Sequence, residues 1–358
     1  MTRWTRERAC DWYAGLPWIT GFNFVPSTAV NQLEMWQRET FDPVTIEREL
    51  GWAAALGFNS VRVFLHDLAW LSDRDGLIQR VRSFLEIATR QGFRTMFVLF
   101  DDCWHTDPRP GPQPDPIPGV HNSRWLQSPG NRIARDPSRW GPLQDYVRDI
   151  LETFGEDRRV LLWDLYNEPG NSLLPSASLS WFEKFREIPP RALGAWLSSS
   201  PSLPLLEASF SWAREVAPTQ PLTAGLWFIN RELNDFQLAA SDVISFHHYG
   251  GPGSLRRVIR RHSNHGRPVF CTEYMARSQR SRFETHLPLF QASRVACFHW
   301  GLVRGRTQTV FKWTDRAGGD LPKEWFHDLL NPDGSPHDPV EAEFIRGLLG
   351  EQDGARTP

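Results

Sequence analysis

Two glutamates carry the chemistry this sequence is best equipped to do. Glu168 follows the run Trp163-Asp164-Leu165-Tyr166-Asn167 and precedes Pro169, and Glu273 sits in Phe270-Cys271-Thr272-Glu273-Tyr274. Each comes at the end of a short apolar stretch of the kind that forms a buried strand. Two carboxyl groups facing each other across a cleft can divide the work of breaking a glycosidic bond. One, protonated, gives its proton to the leaving oxygen; the other, ionised, meets the anomeric carbon. The competing reading is a pair of unrelated surface glutamates that cap loops. Placement of both at strand ends favours the cleft.

Other residues at strand ends suit the same task. Arg62 lies within Val61-Arg62-Val63-Phe64, and an arginine inside an apolar strand is costly unless paired. A carboxylate at Glu273 would satisfy it and stay ionised. Asn167 can offer its amide to a sugar hydroxyl. His247-His248-Tyr249 ends another apolar run, and alternation from an inward Phe246 leaves one histidine and Tyr249 at the mouth. Trp300 can stack under a sugar ring or pack in the core. Weaker substrate-binding candidates are Trp104, Trp227, Glu34, His121 and Asn122, the last two equally suited to tying down a loop. Asp101, Asp102, Cys103 and His105 could ligate a metal in principle, but their spacing has no standard zinc form. No metal and no cofactor is expected.

The elements that must position these residues repeat as strand and helix. Apolar runs of 4–8 residues recur at Ile19–Phe24, Val61–Leu65, Thr95–Phe100, Val160–Leu165, Leu222–Trp227, Val243–Phe246, Val269–Cys271 and Ala296–Phe298. Amphipathic stretches separate them. Asp42-Pro43 predicts a capped helix start and Gly57 its end; later helices are expected at about Leu77–Arg90, Leu143–Phe154, Leu205–Val216, Leu255–Arg261 and Phe283–Gln291. About eight such β-α units predict an α/β fold, a (β/α)8 TIM barrel forming a single domain over residues 1–350, with 351–358 as a disordered tail. Long loops follow the third strand (about 107–130) and the fourth (about 171–204, with a possible short helix around Trp181–Arg186). Both belong to the carboxyl-terminal face, where barrel sites lie.

Composition bounds the rest. The chain has 358 residues, 42 acids against 40 bases, and a net charge of −2. That gives no electrostatic support for a nucleic-acid partner. The clustered Arg256, Arg257, Arg260 and Arg261 alternate with Leu255, Val258 and Ile259, as a solvated helix face does. No run approaches the ~20 apolar residues of a membrane span. The first ten residues hold four charged side chains and no apolar run, which predicts no signal peptide and a cytoplasmic protein. Four scattered cysteines argue against a disulfide scaffold. Tryptophan is the compositional outlier at seventeen residues; core and helix packing explains most of them, and some can line a carbohydrate cleft. Nothing in the sequence fixes an oligomeric state.

Taken together, Arg62, Asn167-Glu168-Pro169, His247-x-Tyr249, Glu273 and Trp300 resemble the retaining glycoside hydrolases of the (β/α)8 clan with catalytic glutamates on strands four and seven. The pattern is most similar to the cellulase-like family 5, over about Trp18 to Trp313. The resemblance implies Glu168 as general acid/base, Glu273 as nucleophile, Arg62 and Tyr249 as its tuners, and Asn167 as the ligand of the 2-hydroxyl. It departs after the third strand. Family members often place a histidine there, and this chain has Asp101-Asp102-Cys103-Trp104-His105, so either His105 or the aspartates could meet the sugar. The implied function is a retaining β-glycosidase acting on glucan, mannan or xylan fragments, with carboxyl groups about 5–5.5 Å apart. A transglycosylase sharing the covalent intermediate and a non-catalytic carbohydrate-binding barrel are the alternatives.

Overall fold

A computed structural model describes residues 2–171 and 200–354 of the chain. Eight strands form one sheet: β1 (Thr20–Asn23), β2 (Ser60–Phe64), β3 (Arg94–Asp101), β4 (Val160–Asn167), β5 (Leu222–Thr223), β6 (Ile244–His247), β7 (Val269–Tyr274) and β8 (Ala296–Trp300). Their order is β5-β4-β3-β2-β1-β8-β7-β6, and each pairing is parallel. Past β5 the chain closes the ring. Leu226 bridges Phe246 in parallel, the His247 amide donates to the Leu226 carbonyl at 2.9 Å, and the Asp242 amide donates to that of Leu222 at 2.8 Å. The result is the (β/α)8 barrel expected. β5 is shorter than the Leu222–Trp227 run predicted, since only its first two residues keep ladder pairing.

The strands are buried along nearly their whole length, because helices cover the outer face and side chains fill the inner one. The helix Pro43–Ala54 starts where expected: Asp42 accepts from the Thr45 amide at 3.0 Å, and proline occupies the first turn. Helix Arg74–Arg90 buries Leu77, Val81, Phe84, Leu85 and Ala88 against the barrel. Several described helices lie outside the sequence expectations, two of them near the ends of the chain. Arg6–Ala14 packs Trp12 and Tyr13 on Phe270, joining the inner layer of Met96, Leu162, Phe270 and Phe298. Pro339–Gly354 buries Ala342, Ile345 and Leu349, so helix extends into the segment read as a tail from residue 351. No described helix is long and apolar enough to cross a membrane.

The expected loop after β3 is tied to a second long loop that the sequence reading did not single out, residues 301–338 after β8. The Asn122 amide donates to the Thr307 carbonyl at 2.8 Å, and the Gly318 amide to Pro118 at 2.9 Å. The Gln308 side chain accepts from the Gly119 amide at 3.0 Å and donates to the Ile117 carbonyl at 2.7 Å. The two loops form one wall. Most of the loop predicted after β4, with the helix suggested near Trp181–Arg186, lies outside the described residues. The next helix is Leu203–Val216.

His299, on β8, illustrates how the core sets acid stability. Its ring lies 5.0 Å from Phe58, 5.0 Å from Phe283 and 5.9 Å from Phe22, and neither ring nitrogen has a partner among the described residues. Burial pushes its pKa down to about 3. A histidine whose folded pKa is depressed contributes stability fully present above its unfolded value and lost as pH falls toward the folded one. Between pH 6 and 4, His299→Phe is therefore expected to flatten the fall in unfolding free energy by about 1.4 kcal/mol per pH unit. Urea melts across that range give the slope; parallel curves for the two proteins would refute the assignment.

Candidate active site

The site is built around Arg62. Its side chain rises from β2 into the barrel and is fully buried. Nη1 donates to Asn23 Oδ1 at 2.7 Å and to Glu273 Oε1 at 3.0 Å. Nη2 donates to Asp164 Oδ2 at 2.7 Å and to Asn167 Oδ1 at 2.7 Å. One guanidinium thus joins β1, β2, β4 and β7. The planar fork of arginine suits this task and a lysine does not. Asn23 is oriented in turn by donating to the carbonyls of Thr272 and His299, at 2.9 and 3.1 Å.

Glu273 belongs to β7, and its second oxygen accepts from Tyr249 Oη at 2.7 Å. Burial pushes its pKa up, and Glu168 pushes the same way. His247, Arg62 and the Tyr249 hydrogen bond oppose them. Tyr249 itself is half-buried beside this carboxylate, and desolvation with the neighbouring negative charge keeps the phenol protonated and able to donate. Tyr249→Phe removes a hydrogen bond to a charged group worth about 1.5–3 kcal/mol. The expected result is a ten- to hundredfold loss in kcat/KM. Glu273 loses a donor to its ionised form, so its pKa rises and the acidic limb of the pH–rate profile moves to higher pH. An unmoved limb would detach Tyr249 from Glu273.

Glu168 follows β4 directly, with φ of 44°, a left-handed conformation unusual outside glycine. It points its carboxylate at β6: Oε1 lies 2.7 Å from His247 Nδ1, which is also 3.4 Å from Glu273 Oε2. Oε2 accepts from the Cys103 thiol at 3.3 Å and from the Asn171 amide. Burial drives the His247 pKa down to about 4, so a neutral imidazole stands between the carboxylates near neutral pH. One oxygen of each glutamate and a ring nitrogen of His247 all lie within 4.8 Å of one another. That spacing could seat a cation, but the Arg62 guanidinium already supplies the positive charge there, and we assign no metal to it.

Of the residues expected from sequence, Glu168, Glu273, Arg62, Asn167, His247 and Tyr249 come together. His248 faces away, its Nε2 3.0 Å from Ser254 Oγ. Trp300 ends β8 half-buried, edge-on to Phe64 at 5.7 Å and to Trp125 at 5.5 Å. Trp227 donates to the Pro169 carbonyl at 3.0 Å, next to Glu168. Trp104 lies 6.1 Å from the His121 ring.

Three other expected site residues also make loop contacts. His121 is buried with Nδ1 2.8 Å from the Phe311 carbonyl. Asn122 is buried in the loop tie to Thr307. Glu34 accepts from the Val30 amide at 2.5 Å and lies 3.6 Å from Arg306. His105 is also committed, with Nε2 2.7 Å from the Ser123 carbonyl.

Sequence reasoning gave no role to Asp164, Trp313 or His327, and offered Asp101 and Asp102 only as possible contacts of the sugar or a metal. Asp164 is fully buried against Arg62; an acid between Trp163 and Leu165 was as anomalous as Arg62 in its strand. Asp101 accepts from Asn167 at 3.0 Å and from Trp125 at 2.7 Å, and burial raises its pKa to about 6. Asp102 accepts from Tyr166 and the Gly170 amide, each at 2.7 Å. From the loop after β8, Trp313 stands edge-on to Tyr249 at 4.9 Å, with His327 5.6 Å away.

A closed parallel barrel with paired carboxylates at the carboxyl ends of β4 and β7 defines a (β/α)8 protein with two glutamates facing each other at its mouth. No protein-family model matches the chain, and no curated protein matches it. Solved structures do. The GH5_18 protein of Streptomyces cattleya, in complex with Manβ1-4GlcNAc, aligns with a TM-score of 0.57 at 16% identity over 95% of this chain and 82% of its own. An exo-β-1,4-mannosidase from Opitutaceae bacterium strain TAV5 aligns at 0.55 and 17%, over 95% and 60%. An endo-1,4-β-D-mannanase from Thermotoga petrophila RKU-1 aligns at 0.55 and 13%, over 94% and 100%. The chain has the (β/α)8 fold of these glycoside hydrolases.

Proposed function

We propose that this chain is a retaining β-glycosidase acting on β-linked oligosaccharides, with Glu168 as general acid/base and Glu273 as nucleophile. The observation that carries the reading is the carboxylate pair itself: oxygens of Glu168 and Glu273 within 4.8 Å, with Arg62 and Tyr249 donating to Glu273. Inverting chemistry needs about 6.5–9.5 Å between the carboxyl groups to admit a water, and a double displacement needs about 5–5.5 Å.

In the first step a Glu273 oxygen bonds to the anomeric carbon as the glycosidic carbon–oxygen bond breaks. The proton of Glu168 passes to the leaving oxygen. In the second, Glu168, now a carboxylate, takes a proton from water. The water oxygen bonds to the anomeric carbon and Glu273 is released. In this reading Asn167, fixed through its carbonyl by Arg62, meets the 2-hydroxyl, and Trp300 lies under the reacting sugar.

Three of the structures above carry mannosides or mannan-cleaving activity in their descriptions, so β-mannosides head the substrate list, ahead of gluco- and xylo-oligosaccharides. The wall made by the loops after β3 and β8 favours short chains or exo-action. The test is a product profile on β-linked manno-, gluco-, xylo- and galacto-oligosaccharides, with NMR of the first-formed anomer. Retained configuration and a ladder shortening from one end are expected. An inverted first product would overturn the double displacement, and mid-chain cuts would overturn exo-action.

A further inference from the structure

The segment after β3 places a thiol against the proposed acid/base. Cys103 is buried and donates at 3.3 Å to Glu168 Oε2. The Asn171 amide donates to the same oxygen and, at 3.5 Å, to the Cys103 sulfur. Asn167 Nδ2 lies 3.4 Å from that sulfur as well, and the Cys103 amide is pinned to Asp101 Oδ1 at 2.9 Å. The thiol is therefore held in place by neighbours on both sides of Glu168 in the chain.

We propose that Cys103 and Asn171 are positioning residues for Glu168: together they hold Oε2 as a hydrogen-bond acceptor, so that the transferable proton resides on Oε1, beside His247. The inference deepens the glycosidase reading and depends on it for its meaning in catalysis. Two donors converging on Oε2 leave no room for a hydrogen there without breaking one of them. At Oε1 the nearby Nδ1 of a neutral imidazole can accept, with the ring hydrogen on Nε2. When Oε1 gives its proton to the leaving oxygen, the same two donors stabilise the carboxylate left behind.

Cys103 does this as a thiol. Burial, with Asp101, Glu168 and Glu273 nearby, drives its pKa well up. It is therefore a donor and not a competing nucleophile, and it adds no further negative charge beside two carboxylates. Among the described residues, the other titratable groups at this point are His247 at the end of β6, Tyr249 just beyond it, Glu273 from β7, and, behind them, Asp164 and Arg62. Against their combined field, the two donors favour the ionised form of Glu168.

The sign follows directly. Removing a donor to the ionised form raises the pKa of the acid. The titration of Glu168 is measured by 13C NMR on protein labelled at the glutamate carboxyl carbon, with Glu168→Gln to assign the signal. Cys103→Ala and Asn171→Ala are each expected to raise its midpoint by about 0.5–1 pH unit, the equivalent of one ordinary hydrogen bond. Cys103→Ser keeps a donor, and its midpoint is expected at or below that of the parent. The basic limb of kcat/KM should move up in step in the Ala variants. Unchanged midpoints in both Ala variants, or equal shifts in Cys103→Ala and Cys103→Ser, would reduce Cys103 to packing. Should Cys103→Ala not fold, Asn171→Ala and Cys103→Ser carry the test. The NMR midpoint needs no substrate, so a protein that turns over no sugar would fail the glycosidase reading while leaving the titration result intact.

Discussion

Glu273→Ala is expected to lower turnover of β-linked oligosaccharides by about a millionfold, the scale seen when a covalent nucleophile is removed from a built site. Glu168→Ala is expected to cost less, about 10² to 10⁴, the usual share of a general acid. The contrast between the two is the sharper test. With a leaving group that needs no proton, such as dinitrophenolate, Glu168→Ala should form the glycosyl-enzyme at near-parent rate and then accumulate it. Glu273→Ala gains nothing from that leaving group. Azide added to Glu273→Ala can occupy the vacated space and give a glycosyl azide of inverted configuration, whereas water cannot fill that role. Azide added to Glu168→Ala should intercept the intermediate and give the retained azide. Stopped-flow burst kinetics and product NMR read all four outcomes. Equal losses in both variants with every leaving group would remove the division of labour.

Arg62→Met has the second largest expected effect, and it falls on the fold as well as on the chemistry. The guanidinium is buried with Asp164, Glu273, Asn23 and Asn167 on its donors. Removing it strands two buried carboxylates, and breaking a buried pair in this way costs about 3–5 kcal/mol. Denaturant melts should show that loss, and Asp164→Asn added to Arg62→Met should recover part of it. Any activity that survives should carry a displaced pH profile. Arg62 favours the ionised form of Glu273, so without it the Glu273 pKa rises and the acidic limb moves to higher pH. A variant as stable as the parent would mean that water reaches this cluster and screens it.

Much of this arrangement was legible in the sequence because it relies on strongly patterned signals. Strand ends, helix caps and the anomaly of a charge in an apolar strand placed Arg62, Glu168 and Glu273 on one face. What escaped was set by contacts distant in sequence or by departures from regular backbone. Alternation carried on from Asp164 sends Tyr166 inward. In the protein, Tyr166 packs on Phe100 and donates to Asp102, and Asn167 meets Arg62. The backbone then leaves β4 at Glu168 with positive φ, and no periodicity encodes that turn. His121 and Asn122 had the right chemistry for a cleft. Their partners, Phe311 and Thr307, lie almost two hundred residues on, in a loop whose irregular sequence gives no helix or strand period. Cys103 read only as a weak metal-ligand candidate, and its contacts with Glu168 and Asn171 emerge only in the fold.

The tie between the loops after β3 and β8 also bears on how the molecule is made. The side-chain and backbone bonds joining residues 117–122 to residues 307–318 span more than half of the chain, and the pairing of β1 with β8 spans still more. Synthesis proceeds from the amino terminus, and contacts of such long range form late. A nascent chain holds Arg62, Glu168 and Glu273 well before it holds the wall beside them. The chemistry-bearing residues are thus present on an unfinished ring, and the cleft acquires its boundary when the last fifth of the chain folds back over the mouth.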